Sequence, residues 1–121
     1  MYKRSEKVAE AIHELISDLL IKGLKDPRIG FVTITGVKVT DHLHLATIYY
    51  TVIGSDEERK ATDQGLSSAR GFIRKEMGKN LHMRYVPELM FRYDESVEYG
   101  NRIETLLKEI SAKESDDDRE D

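Results

Sequence analysis

Apolar residues at Val8, Ile12, Leu15, Ile16, Leu19, Leu20 and Leu24 recur at helical spacing, and Pro27 then ends the pattern. A period near 3.6 residues held over about five turns predicts a long amphipathic helix from about Lys3 to Leu24, one face of which must find a partner. Lys22 and Lys25 suit the negative end of its dipole. Pro27 lacks a backbone donor and restricts Asp26, so the helix ends in the turn Lys25-Asp26-Pro27-Arg28.

Beyond Pro27 the period changes to two. Val32 to Thr40 is β-branched and alternating, yet the apolar phase switches from Val32 and Ile34 to Val37 and Val39 across Gly36. A bulge at Gly36 reconciles the two phases. After a polar turn at Asp41-His42, Leu43 to Ile53 reads as a second strand, apolar on both faces and joined to the first as a hairpin. Ser55 followed by Glu58 is a capping box, which starts a second helix at about Asp56. It runs towards Met77, with Gly78 as its expected cap. Gly65, Ser67, Ser68 and Gly71 are weak helix formers within it, so a kink is expected near Ala69-Arg70-Gly71 that divides it in two. Leu89, Phe91 and Tyr93 alternate after Pro87 as a third strand, and a last helix is expected from about Ser96 to Ile110.

The order is helix, strand, strand, helix, kink, helix, strand, followed by a terminal helix. It describes one α+β domain over residues 1–112, a small sheet with helices on one face. Residues 113–121, KESDDDRED, are expected to be a disordered acidic tail.

Charge is segregated along the chain. The net charge is −4, and the tail, with six acids and two bases, accounts for all of it. Between Arg70 and Arg92 the balance reverses, with six bases (Arg70, Arg74, Lys75, Lys79, Arg84, Arg92) against Glu76 and Glu88. For a polyanionic partner a local basic patch matters more than the sum. Arg70 and Arg74 are four residues apart, as are Lys75 and Lys79, so on a helix they form a broad basic face beside the kink. Lys3, Arg4 and Lys7 are candidates to extend it. On charge alone a solvated helix face is the plainer reading.

Catalysis is not expected. With no cysteine the chain has no thiol nucleophile, disulfide or Cys-ligated metal. Its carboxylate pairs fall at helix starts, where capping explains them, and no nucleophile motif or phosphate-binding glycine loop is present. His42 and His44 have a spacing that could begin a metal site, but no third histidine is placed to complete it; His13 and His82 read as isolated surface residues. Most of the tyrosines read as packing residues rather than base-stacking platforms. No run of 18 apolar residues and no signal peptide is evident, which points to a cytoplasmic protein.

The order of elements matches the type II K-homology fold, in which a Gly-x-x-Gly loop between two helices clamps single-stranded RNA. No two glycines here are three apart, and Ala69-Arg70-Gly71 stands where that loop would be. With Leu24-Lys25-Asp26-Pro27-Arg28-Ile29-Gly30, Val32-Thr33-Ile34-Thr35-Gly36-Val37, Ala69-Arg70-Gly71-Phe72-Ile73-Arg74, Pro87-Glu88-Leu89 and Asp94-Glu95-Ser96-Val97-Glu98-Tyr99-Gly100, the chain closely resembles the ribosome-binding factor A family over roughly residues 4 to 110. The resemblance implies a type II K-homology-like domain with an Ala-x-Gly kink at Ala69, Arg70 and Gly71. It also implies a non-catalytic factor, without cofactors, that binds the small (30S) ribosomal subunit and its 16S rRNA, assists late maturation including 5′-end processing, and in some bacteria supports growth in the cold.

With that resemblance, RNA binding becomes the favoured reading of the basic residues. The expected rRNA-binding set is Lys3, Arg4, Lys7, Ala69, Arg70, Gly71, Arg74, Lys75, Lys79 and Arg84. The competing reading is a protein-interaction module that docks on a ribosomal protein or an assembly GTPase with no direct RNA contact. A monomer is expected from the chain's length.

Overall fold

The computed structural model describes residues 3–96 and 103–112. Helix α1 (Arg4–Lys22) begins where the Glu6 carboxylate turns back to accept from the Lys3 backbone N–H at 3.4 Å, and it buries Ser5, Ala9, Ile12 and Ile16. It stops at Gly23, whose φ of 86° is a conformation that side-chain-bearing residues rarely adopt, so the helix ends just before Leu24.

Strands β1 (Val32–Val39) and β2 (Leu45–Val52) pair antiparallel, and β3 (Glu88–Tyr93) lies parallel to β2 in a sheet of order β1-β2-β3. Ile34 pairs with Tyr50 and Gly36 with Tyr49, so the expected bulge is present and Thr35 is its extra residue. The extra residue restores the phase: Ile34 before the bulge and Val37 and Val39 after it all pack on the core. The bulged Thr35 hydroxyl donates to Asp94 at 2.6 Å, beyond the end of β3. Ala46, Ile48 and Tyr50 supply the same face of β2, and Leu89 that of β3.

Helix α2 (Asp56–Ser68) starts on the expected capping box: Ser55 Oγ accepts from the Glu58 N–H at 3.2 Å and the Glu58 carboxylate accepts from the Ser55 N–H at 3.4 Å. Helix α3 (Arg70–Asn80) follows after a single intervening residue. Leu66 from α2 and Ile73 and Met77 from α3, all fully buried, meet Ile12 and Ile16 of α1 over the sheet. The helix runs past Gly78, which is not a cap: a Cβ there would meet Val86 Cγ2 at 3.2 Å, so the residue serves close packing of the segment leading into β3. Residues 95–96 and 103–112 are helical, in keeping with the expected last helix. Residues 97–102 and the acidic tail at 113–121 lie outside the described residues.

Gly65 makes the tightest of these contacts. A Cβ there would stand 2.6 Å from Ile29 Cγ1 and 3.4 Å from Arg28 Cβ, in the segment that joins α1 to β1. Gly71 faces open space, with nothing within 4 Å of a Cβ. Alanine ordinarily favours a helix over glycine by about 1 kcal/mol. Gly71→Ala is therefore expected to hold or raise the melting temperature, whereas Gly65→Ala should lower stability by about 1–3 kcal/mol through overpacking, both read from thermal and urea unfolding.

Candidate nucleic-acid interface

Ala69 is at once the C-cap of α2 and the N-cap of α3, with φ −82° and ψ −4°. Its N–H donates to the carbonyls of Gly65 at 3.0 Å and Leu66 at 3.1 Å, while its own carbonyl accepts from the Ile73 N–H at 2.9 Å. The kink is thus one residue whose backbone groups serve both helices. No loop is interposed, which leaves Gly71 in the first turn of α3 with open space where a side chain would stand. A backbone exposed in this way allows a ligand to approach closely.

Opposite the kink, the segment after α1 closes a groove of about 570 Å³. Leu19, Leu24, Ala69 and Phe72 provide its apolar lining and Lys22 and Lys25 its positive charge. The Leu24-to-Gly30 sequence has a physical role here. Asp26 Oδ1 accepts from the backbone N–H and the Nε of Arg28, both at 3.0 Å, and Asp26 Oδ2 accepts from Arg28 Nη2 at 2.6 Å. The same Nη2 donates to Ser68 Oγ at 3.1 Å, next to the kink. Buried Thr62 donates to the Arg28 carbonyl at 3.3 Å and accepts from the Gly30 N–H at 3.4 Å. The turn is thereby strapped to α2 along Thr62, Gly65 and Ser68.

The expected binding residues fall into two groups. Arg70 lies at the kink, exposed, its Nε donating to the Ser67 carbonyl at 3.1 Å. Lys75 and Lys79 are exposed on the side of α3 turned away from Ile73 and Met77. Arg74 is occupied: its Nε donates to the Pro87 carbonyl and its Nη2 to the Val86 carbonyl, both at 3.0 Å, with Glu88 3.6 Å away. It holds the entry to β3 as well as adding charge. Lys3, Arg4 and Lys7 are exposed at the start of α1, and Arg84 lies beside Arg4 at the opposite end of that helix from the kink groove.

Tyr50 is a packing residue, as expected. Its ring lies 5.7 Å from Tyr93 and 6.5 Å from Phe91, both edge-on, and its hydroxyl donates to Asp63 at 2.8 Å. Burial first, and then that hydrogen bond, push its pKa up. Tyr85 breaks the pattern and is exposed; Tyr99 lies outside the described residues.

The family model for ribosome-binding factor A matches residues 4–107. This chain belongs to the ribosome-binding factor A family. A Geotalea uraniireducens ribosome-binding factor A is 76% identical over 121 residues, covering 100% of this chain and 99% of the relative. A Geobacter metallireducens member is 70% identical over 118 residues, 98% of this chain and 100% of that one. A homology model of the Thermus thermophilus factor, as fitted into an electron cryo-microscopy map of a 30S-RbfA complex, superposes with a TM-score of 0.56, covering 76% of this chain and 92% of that one; at 21% identity it shows the shared fold. The Ala-x-Gly kink that the resemblance implies is the single-residue junction at Ala69, and Asp26-Pro27-Arg28 is the strap that holds the groove beside it.

The strap has a pH signature. Asp26 is held at about 2 rather than 3.8, first by the side-chain hydrogen bonds from Arg28 and then by the Arg28 backbone N–H. A folded-state value below the unfolded one means that the pair stabilises the fold above about pH 4 and loses that contribution as pH falls towards about 2. Asp26→Asn should therefore melt below the wild type at pH 6, and the gap should narrow as the pH is lowered to 2.5 in a differential scanning series.

Proposed function

We propose that this protein binds 16S rRNA directly on the immature small subunit, assists its late maturation including 5′-end processing, and acts as a cytoplasmic, non-catalytic monomer. The observation that carries the reading is the junction at Ala69. It leaves Gly71 uncovered next to a groove, with Arg70, Lys75 and Lys79 along the same helix. Phosphate contacts from these cations would supply affinity, and rRNA shape would supply specificity. Family membership and the 30S complex of the Thermus thermophilus relative support the same reading.

A second reading has its own observation. Ile21 and Phe31 are 83% and 82% exposed around a depression of about 480 Å³, and Ile53, 79% exposed, donates its N–H to the Phe31 carbonyl. Such a patch suits docking on a ribosomal protein or an assembly GTPase.

Salt separates the two. Co-sedimentation with precursor-rich and mature small subunits should favour the precursor and fall with salt at a log–log slope of about −0.7 to −0.9 per neutralised phosphate. Arg70→Gln with Lys75→Gln and Lys79→Gln should weaken binding and flatten that slope by about 1 per lost contact, with little change in melting temperature. Arg74 is excluded from this set because its loss would free two carbonyls at the start of β3. An unchanged slope in the triple variant would sink the RNA reading of the α3 face.

A further inference from the structure

At the end of the molecule away from the kink groove, three segments remote in sequence close around a cavity of about 760 Å³: the start of α1, the turn between β1 and β2, and the connection from α3 to β3. Its lining brings together Arg4, His42, His44, His82 and Arg84, with Tyr85 beside them, and no carboxylate. The protein as a whole carries four more acids than bases, so five groups that are cationic or able to become so, without an acid among them, mark a site for an anion. Among the described residues no group of three or more His, Asp or Glu is arranged to hold a metal ion, which turns the histidines away from cation chemistry.

The aromatic component narrows the anion. Tyr85 is 76% exposed, and the Arg84 guanidinium lies 5.5 Å from its ring centroid. An exposed ring with a cation against it is a stacking platform for a nucleobase, whose phosphate would then fall among the arginines and imidazoles. Val8, Leu81 and Met83 give the floor an apolar component that an inorganic anion would not need.

The backbone around the cavity is held in an unusual shape. Leu43 at φ 60° and His82 at φ 51° are the non-glycine residues with positive φ among the described ones, and each sits in one of the two lining loops. The hairpin tip is fixed by Thr40, whose carbonyl accepts from the Leu43 N–H at 2.8 Å and whose hydroxyl accepts from His44 and Leu45 at 3.0 and 3.1 Å. Constrained backbone of this kind persists where the surroundings over-determine it, and it gathers at ligand sites. Here it sets the His42 and His44 rings 6.1 Å apart on one side of the turn.

We propose that this cavity is a second RNA contact, which takes one unpaired nucleotide with its base on Tyr85 and its phosphate held by Arg4, Arg84 and the three histidines. The proposal rests on the RNA reading above and extends it: α3 leads from the kink through Lys79 directly to the cavity at Leu81, so a strand bound at one end can continue to the other.

The test is fluorescence anisotropy with labelled decauridylate and the full chain across a salt series. Tyr85→Ala should weaken binding about tenfold, and Tyr85→Phe, which keeps the ring, should restore it. Arg4→Gln with Arg84→Gln should weaken binding and flatten its salt dependence. Wild-type binding by Tyr85→Ala and by the arginine double variant, or no decauridylate binding by the wild type, overturns the cavity assignment. The rRNA reading is decided separately by the salt dependence of subunit co-sedimentation, so each can fail without the other.

Discussion

The contact of Ile29 with the bare backbone of Gly65 sets the arrangement of everything around the kink. Because α2 carries no side chain at that point, the segment after α1 can lie directly on it, and Thr62 then bonds both the Arg28 carbonyl and the Gly30 N–H. The Asp26–Arg28 pair locks the turn and reaches Ser68, one residue before the junction. The end of α1, the start of β1 and the α2–α3 elbow are thus one packed unit, and the groove is what remains between them. A side chain at position 65 would lift the strap and with it one wall of the groove.

Much of this architecture is written in local pattern. The switch of apolar phase across Gly36 marks a bulge because a sheet with one covered face tolerates no other way of changing phase, and Thr35 is the residue it extrudes. Ser55 and Glu58 announce a helix start because the two groups satisfy each other's backbone donors. The density of weak helix formers between Gly65 and Gly71 marks the break at Ala69. Gly78 misled for an instructive reason: a glycine near a helix end serves equally as a cap or as a point of close approach, and the deciding contact is with Val86, which no helical pattern contains.

The candidate site was less legible. Arg74 differs from Lys75 only through the carbonyls of Val86 and Pro87, which reach it by way of the turn into β3. His82 reads as isolated because its neighbours His42 and His44 are some forty positions away and join it only once α3 has crossed the sheet. Spacing can report what shares a helix face; it cannot report which loops share an end of the domain.

A junction of one residue also leaves no slack. In a glycine-rich connection the chain between two helices samples many conformations and must be immobilised when something binds, an entropic cost that lowers affinity. At Ala69 the amide and carbonyl are already committed to the two helices, so the elbow can open only by breaking helical hydrogen bonds on either side. A partner meeting this surface finds its shape already set, and its grip depends on fit to a rigid corner rather than on a loop closing over it.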